Sequence, residues 1–357
     1  MYNKDVLLPC GDNSTINAAT TDRFLRRLIQ GANGGTTFSK GIVSTYSLVY
    51  TAANAYQGGV LAPNGDIHFI INNVSTGQKI SSAGVVSTYS LVYAGAFAGG
   101  VLAPNGDIHF IPYSATVGQK VNLDGVVSTY SLVYVVGLGY SGGVVSPTGD
   151  IHFIPRAATV GQKVDLAGVV STYSLVNTIN LYVGGVLAPN GDIHFVPASA
   201  TVGQKISSAG VVSTYSLVYT ATTAYNGAVL SPNGDIHFTP RSATVGQKIS
   251  SAGVVSTYSL VYTTTTAYSG GVLSPNGDIH FVVRNALVGQ KINSTGLVST
   301  YTLVHTNAAG AHQGGILAPN GDIHFMPYNA TVGQKIDTLS AKPFSRGICL
   351  HPFLNKF

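Results

Sequence analysis

The 357-residue chain contains no glutamate and no tryptophan, it has two cysteines, and only 9% of its residues are charged. Without glutamate, and with no unique carboxylate pair outside its tails, it offers nothing for glycoside hydrolysis by two dedicated carboxylates. Long helices have little to support them either. The 43 glycines and 20 tyrosines point instead to strand and turn. No apolar run approaches the roughly 20 residues of a membrane span. The opening MYNKDVLLPCGDN also lacks a signal peptide's apolar segment, so the chain reads as soluble, made in a cytoplasm and not inserted in a membrane. Cys10 and Cys349 stand one in each tail, and both a disulfide stapling the termini and two free buried thiols are open.

What the chain has in abundance is itself. The string GGVLAPNGDIHF begins at Gly58 and returns, with small changes, at Gly99, Gly142, Gly184, Gly227, Gly270 and Gly314, at spacings of 41 to 44 residues. Between the copies VGQK and GVVSTYSLVY repeat too. This period is that of a four-stranded propeller blade, and seven copies predict an all-β, seven-bladed β-propeller over residues 41–337. A tail (1–40) precedes the array and a closing segment (338–357) follows it.

Repetition also explains the charge. Seven Asp (Asp66, Asp107, Asp150, Asp192, Asp235, Asp278, Asp322) and seven Lys (Lys79, Lys120, Lys163, Lys205, Lys248, Lys291, Lys335) sit at equivalent positions and cancel, so the net charge of +5 says little about partners. Part of the remainder, Arg23, Arg26, Arg27 and Lys40, lies in the N-terminal tail. No basic stripe interleaved with aromatics is present, and nucleic acid is not expected as a partner.

Turn chemistry divides each unit. Asn-Gly between two apolar runs predicts a hairpin with positive φ at both central residues, joining GGVLAP to DIHFIP. VGQKI and the long VVSTYSLVY supply the third and outer strands, while the paired glycines mark GGVLAP as the strand nearest the axis. The first outer strand, Gly41 to Tyr50, precedes any inner strand, and the seventh unit lacks one. The N-terminal strand is therefore expected to complete the seventh blade. The segment FSRGICLHPFLNKF echoes FSKGIVSTYSLVY at its start, so it can compete for, flank or extend the same edge.

Two segments escape the repetition: the link from outer strand to next inner strand, and the stretch after DIHF. Up-and-down strands place both at one end of the blade, so one face of the disc varies and the other is uniform. Loops on a rigid scaffold are where binding residues usually sit. The variable face is expected to offer Tyr56, Phe97, Tyr140, Tyr182, Tyr225, Tyr268 and His312, flanked by Tyr113, Arg156, Arg241, Arg284 and Tyr328. Such a set suits a glycan or a protein partner. The alternative is that the aromatics pack between blades and the arginines are merely solvated.

The recurring Asp-Ile-His, from Asp66 and His68 to Asp322 and His324, is the most enzyme-like feature. Period-two geometry puts Asp and His on one strand face. Seven blades keep the histidines apart, so no shared metal is expected, and a network with Lys of GQK or Ser and Thr of STYS is the simpler reading. No cofactor and no catalysis are expected. In the N-terminal tail TTDRFLRRLIQGANGG predicts a short helix, capped at Thr21 or Asp22, that either docks the disc onto a larger assembly or covers one of its ends.

The units resemble a family of near-identical propeller repeats, typically GGVLAPNGKIYFIP, seen in environmental bacterial, algal, giant-virus and phage sequences. The version with DIHF, VGQK, VVSTYSLVY and a terminal ICLHPFLNKF is most similar to proteins of marine phages and cyanophages, although His68 and its equivalents replace the commoner Tyr. The resemblance implies the propeller fold and a virion protein made in the host cytoplasm, or an extracellular one if not viral. Its expected partners are other virion proteins through the termini and a host-surface glycan or protein through the variable face. A decoration module without its own ligand and a polysaccharide-acting enzyme are the other readings.

Overall fold

The strand signals in the sequence resolve into 28 strands in the computed structural model, which describes residues 42–178, 182–305 and 309–338. The first strand, β1 (Ile42–Ser47), stands apart from its chain neighbours. The first complete blade is β2 (Tyr56–Leu61), β3 (Ile67–Ile71), β4 (Thr76–Ile80) and β5 (Val86–Ser90), hydrogen-bonded in that order and antiparallel throughout. Five further blades repeat this order from β6 (Phe97–Leu102) to β25 (Val298–Thr302). The last sheet joins β26 (His312–Leu317), β27 (Asp322–Pro327) and β28 (Val332–Asp337) to β1, which pairs with β28 from Ile42↔Asp337 to Ser47↔Val332. The chain is thus a seven-bladed β-propeller closed by its N-terminal strand. The candidate tail helix, Cys10, Cys349 and the segment after Thr338 lie outside the described residues.

Burial falls from the second strand outward. Every residue of β3 is buried, because neighbouring blades cover both faces, whereas β5 alternates between exposed and half-buried positions along the rim. At the axis the reason for glycine is steric. Gly58 has φ of 91°, and a Cβ built on it would stand 3.4 Å from the Cα of Gly99 in the next blade. The inner strands approach backbone to backbone, which a side chain would prevent.

The hairpin turn differs from the expected one. Only Gly65 has positive φ, 86°, and Asn64 does not. The Gly65 N–H donates to the Ala62 carbonyl at 3.0 Å and the Ala62 N–H to the Asp66 carbonyl at 2.8 Å. This is a three-residue loop, a type I turn over Pro63 and Asn64 followed by a left-handed glycine. Pro63 supplies the fixed φ of the first central position, and the Asn64 side chain accepts the Asp66 N–H at 3.0 Å. Thr148 is tolerated at the Asn position of the third blade because no positive φ is needed there, and Gly149 keeps φ of 90°.

Blades are tied together by a residue that repetition hid. Gln78 on β4 is fully buried, and its Oε1 accepts the N–H groups of Val49 and Tyr50, which follow the outer strand of the preceding blade, at 3.1 and 2.8 Å. Gln119, Gln162, Gln204, Gln247, Gln290 and Gln334 accept from the matching positions of their own predecessors. Because Val49 and Tyr50 follow β1, the Gln78 clasp secures the closing seam as the others secure the internal ones. Removing the acceptor takes two hydrogen bonds from partly buried N–H groups, at about 1–3 kcal/mol for the pair. Gln78→Ala and Gln162→Ala are each expected to lower unfolding stability by about that much, read by urea titration. An unchanged midpoint for both would remove the clasp from the account.

Candidate functional site

The Asp-Ile-His units belong to the frame. Lys79 donates to Asp66 Oδ2 at 2.7 Å, and all seven equivalent pairs form at 2.5 to 2.7 Å. Burial opposes the charge of Asp66, and the Lys79 ammonium with the Ser82 N–H outweighs it, holding the carboxyl below its usual range. His68 is buried one pleat along, its ring edge-on to Tyr89 at 5.4 Å between centroids, with Nδ1 3.4 Å from the Tyr89 hydroxyl. The partner on the outer strand is therefore Tyr, where Ser or Thr was expected. Burial, then the Lys79 charge, pushes His68 down to about 4. Its six equivalents shift to the same value, chiefly through burial. Among the described residues no group of three or more His, Cys, Asp or Glu side chains is placed to hold a metal ion.

The expected aromatic surface is corrected. Tyr56, Phe97, Tyr140, Tyr182, Tyr225, Tyr268 and His312 are buried to 1% exposure or less, so none is offered to a ligand. Each opens an inner strand; Tyr56 meets Phe69 of its own blade edge-on at 5.2 Å and Tyr50, which follows the preceding outer strand, at 6.5 Å, and His312 likewise meets Phe325 at 5.6 Å and His305 at 6.1 Å. The tyrosine hydroxyls are used as well: that of Tyr182 donates to the Val202 carbonyl at 2.9 Å. The register shift between Tyr56 and Gly59 lets the ring turn into the blade before the glycines reach the axis. The residue after each aromatic varies where the aromatic is nearly constant, and that contrast was the available signal. Of these residues Gln57, Asn226 and Gln313 keep some exposure while Ala98, Ser141, Val183 and Ser269 are buried.

The second expected set does surround the axis. In ring order the positions closing each second strand are Asn72, Tyr113, Arg156, Ala198, Arg241, Arg284 and Tyr328. Their main chains are fixed by the frame. The carbonyls of Tyr113, Ala198, Arg241, Arg284 and Tyr328 accept N–H groups from the next blade at 2.6 to 3.1 Å, from Gly139, Ala224, Ala267, Ala311 and Ala55. Only the side chains are left free to differ. Arg156 lies over the Tyr113 ring at 5.3 Å and Arg284 over Tyr328 at 4.8 Å. Arg284 also donates to Gln313 Oε1. In the ring order Arg241 follows Ala198, not an aromatic, and among the described residues its buried Nε has no acceptor. Burial first, then Arg284 and Arg156, lower its pKa. Arg241 therefore feels the charge of both other guanidinium groups.

Below this ring lies a cavity of about 200 Å³ lined by the paired glycines and by Val60, Val101, Val144 and Ile316. It is apolar and smaller than the pockets of roughly 300–1,000 Å³ that enclose ligands. The glycine ring is not uniform. Around it a Cβ on each first glycine would meet the next glycine's Cα within 3.4 Å, except at Gly184, where nothing lies within 4 Å. The fifth blade alone has Gly227-Ala228 in place of Gly-Gly. At the equivalent Gly100 a Cβ would come within 2.5 Å of the preceding blade's Ile70 and 2.9 Å of its Val60. The Ala228 methyl occupies that position, and Gly184, which faces the fifth blade, is the axial glycine with open space before it. That space lies on the side of the axis where Ala198 stands between Arg156 and Arg241 in the ring order.

Charge follows the faces. Strand directions put every described Asp, including Asp124, Asp165 and Asp337, at the PNGD end of the blades, and every described Arg at the opposite end. Each lysine of the GQK repeats is held by its Asp. Among the described residues the variable face is left with positive charge alone.

No family model and no curated protein matches the chain. Its likeness is to solved propellers. A streptogramin B lyase is 18% identical at a TM-score of 0.75, covering 86% of this chain and all of that one. A catalytically inactive virginiamycin B lyase from Staphylococcus aureus, with quinupristin, is 16% identical at 0.74, covering 84% and 99%. Hydrazine synthase of Kuenenia stuttgartiensis is 12% identical at 0.65, covering 81% and 97%. At these identities the likeness shows the fold.

The buried histidines make stability depend on acid. With folded values near 4 and an unfolded value of about 6.5, the unfolded chain binds more protons across that window, so stability rises with pH there. Tm is expected to fall as pH is lowered from 6.5 towards 4. A flat Tm over that range would show that the histidines are not held neutral.

Proposed function

We propose that the protein is a bacteriophage virion component that recognises a host-surface glycan or protein through the variable face of its propeller, without catalysing a reaction. The observation that carries this reading is the split between the two ends of each blade. One end is spent seven times over on the same turns and the same Asp–Lys pair. At the other, the frame uses only the backbone of the axial ring residues and leaves their side chains to vary. The resemblance of the repeats to proteins of marine phages supports the viral setting, and the tails would attach the disc to the particle.

Each Asp that would tempt an enzymatic reading is paired with a Lys of its own blade, His68, His109, His152 and His194 meet a Tyr hydroxyl of their own outer strand, and the chain has no glutamate to supply a second carboxylate. One observation favours a decoration module instead. The rim carries seven nearly identical uncharged edge strands whose flanking valines, such as Val85 and Val92, are about 62% exposed. Assembly through the rim and recognition through the face make different demands on the ring residues.

The test is binding of the fluorescently labelled protein to cells and lipopolysaccharide of marine cyanobacteria. The wild type is expected to bind, and a variant with Tyr113, Arg156, Arg241, Arg284 and Tyr328 all changed to Ala, the residue already present at position 198, is expected to lose binding while keeping its Tm within a few degrees. Asp124→Asn on the uniform face should change nothing. Absence of binding to every host, or equal binding by the fivefold variant, would count against recognition through this face and leave the decoration module.

A further inference from the structure

We propose that the mouth of the axial channel is an anion site, in which Arg156, Arg241 and Arg284 hold a carboxylate or phosphate group of an acidic saccharide. The inference rests on the reading that the variable face takes a ligand, and it names the chemistry of that ligand.

Three observations carry it. Three guanidinium groups project from one fixed ring, and no described acidic residue stands on their face to neutralise them. Like charges held together cost free energy unless something compensates them, and here the frame supplies no counter-charge. Two of the three are already oriented. Tyr113 lies under Arg156, and Tyr328 with Gln313 fixes Arg284. A planar fork held in place loses little further freedom on gripping an oxyanion. The third, Arg241, is half-buried with an Nε that has no acceptor among the described residues. A buried donor left unpaired is a standing cost that a bound oxyanion would remove.

The shape of the mouth fits a single charged group better than a whole buried molecule. Ala198, a small residue, stands between Arg156 and Arg241 in the ring order, and the open space before Gly184 lies on the same side. The glycine-lined cavity below is too small and too apolar to enclose a sugar ring. The charged substituent would therefore sit at the arginines while the remainder of the saccharide lies across the face. Three cations around one axis make a point site, not the extended basic track that a nucleic acid requires.

Calorimetry of the full chain at low ionic strength tests this, with glucuronate, inorganic phosphate, glucose and an oligo-aspartate peptide as probes. Glucuronate or phosphate is expected to bind at one per chain, weakening as salt is raised, with glucose not binding. Arg241→Gln and Arg156→Gln should each weaken the interaction at least about tenfold. Arg241→Lys should retain part of it and Asp124→Asn all of it, every variant keeping the wild-type Tm. The proposal is overturned if neither oxyanion binds saturably, if glucose binds as well as glucuronate, if only the peptide binds, or if both arginine variants bind like the wild type. Should the oxyanions fail while host cells are still bound through the variable face, the anion site alone falls. Should they bind while no host cell is recognised, the host reading falls and the site stands.

Discussion

A buried glutamine that accepts hydrogen bonds from the neighbouring blade is the interaction on which the molecule depends. Each blade presents one, and each finds the main chain that leaves the preceding outer strand. Aromatic packing fills each blade and reaches the link that leaves the preceding one, where Tyr50 meets Tyr56 and Tyr93 meets Phe97. The clasp adds a directional constraint to that packing, since an amide oxygen buried without its donors would be costly. It also makes the closing seam chemically equivalent to the internal ones, because the first strand arrives with the same backbone donors behind it. Closure therefore needs no special device beyond the position of β1.

A frame defined by main-chain and glutamine contacts has a consequence for function. At the axial ring it employs carbonyls and N–H groups and asks nothing of the side chains. Asn, Tyr, Arg and Ala can follow one another around the axis without altering the architecture. The Asp–Lys pairs meanwhile neutralise one another at the far end of every blade. The few residues that break the repetition, Arg156, Arg241 and Arg284 among them, therefore set the charge of the variable face. Ala228 also breaks the repetition: it places a single methyl among the paired glycines of the axis.

Much of this was legible in the sequence. The period gave blade number, strand order and the identity of the closing strand, because a repeat that cannot bury its own faces must stack on its neighbours. The variable face was legible too, from which segments differed. What could not be read was direction within a blade. Tyr56 sits in a variable link, and only the register shift that follows it turns the ring inward and leaves Gln57 at the next position. The hairpin was misjudged for a related reason: Pro63 ahead of Asn64 selects the three-residue loop, so Asn-Gly alone was the wrong unit to read. Gln78 was invisible because all seven copies have it, and an invariant residue in a repeat does not announce whether it serves its own blade or the next. The convergence of three arginines from three separate blades needed the ring itself.

The axial arginine mouth is the central claim, and diffraction from crystals of the full chain grown with selenate, recorded at the selenium edge, tests it most directly. The account places one anomalous peak on the axis at the variable face, within hydrogen-bonding distance of Arg241 and at least one of Arg156 and Arg284. Selenate bound at the PNGD face or around the rim, with the arginine mouth empty, would contradict it.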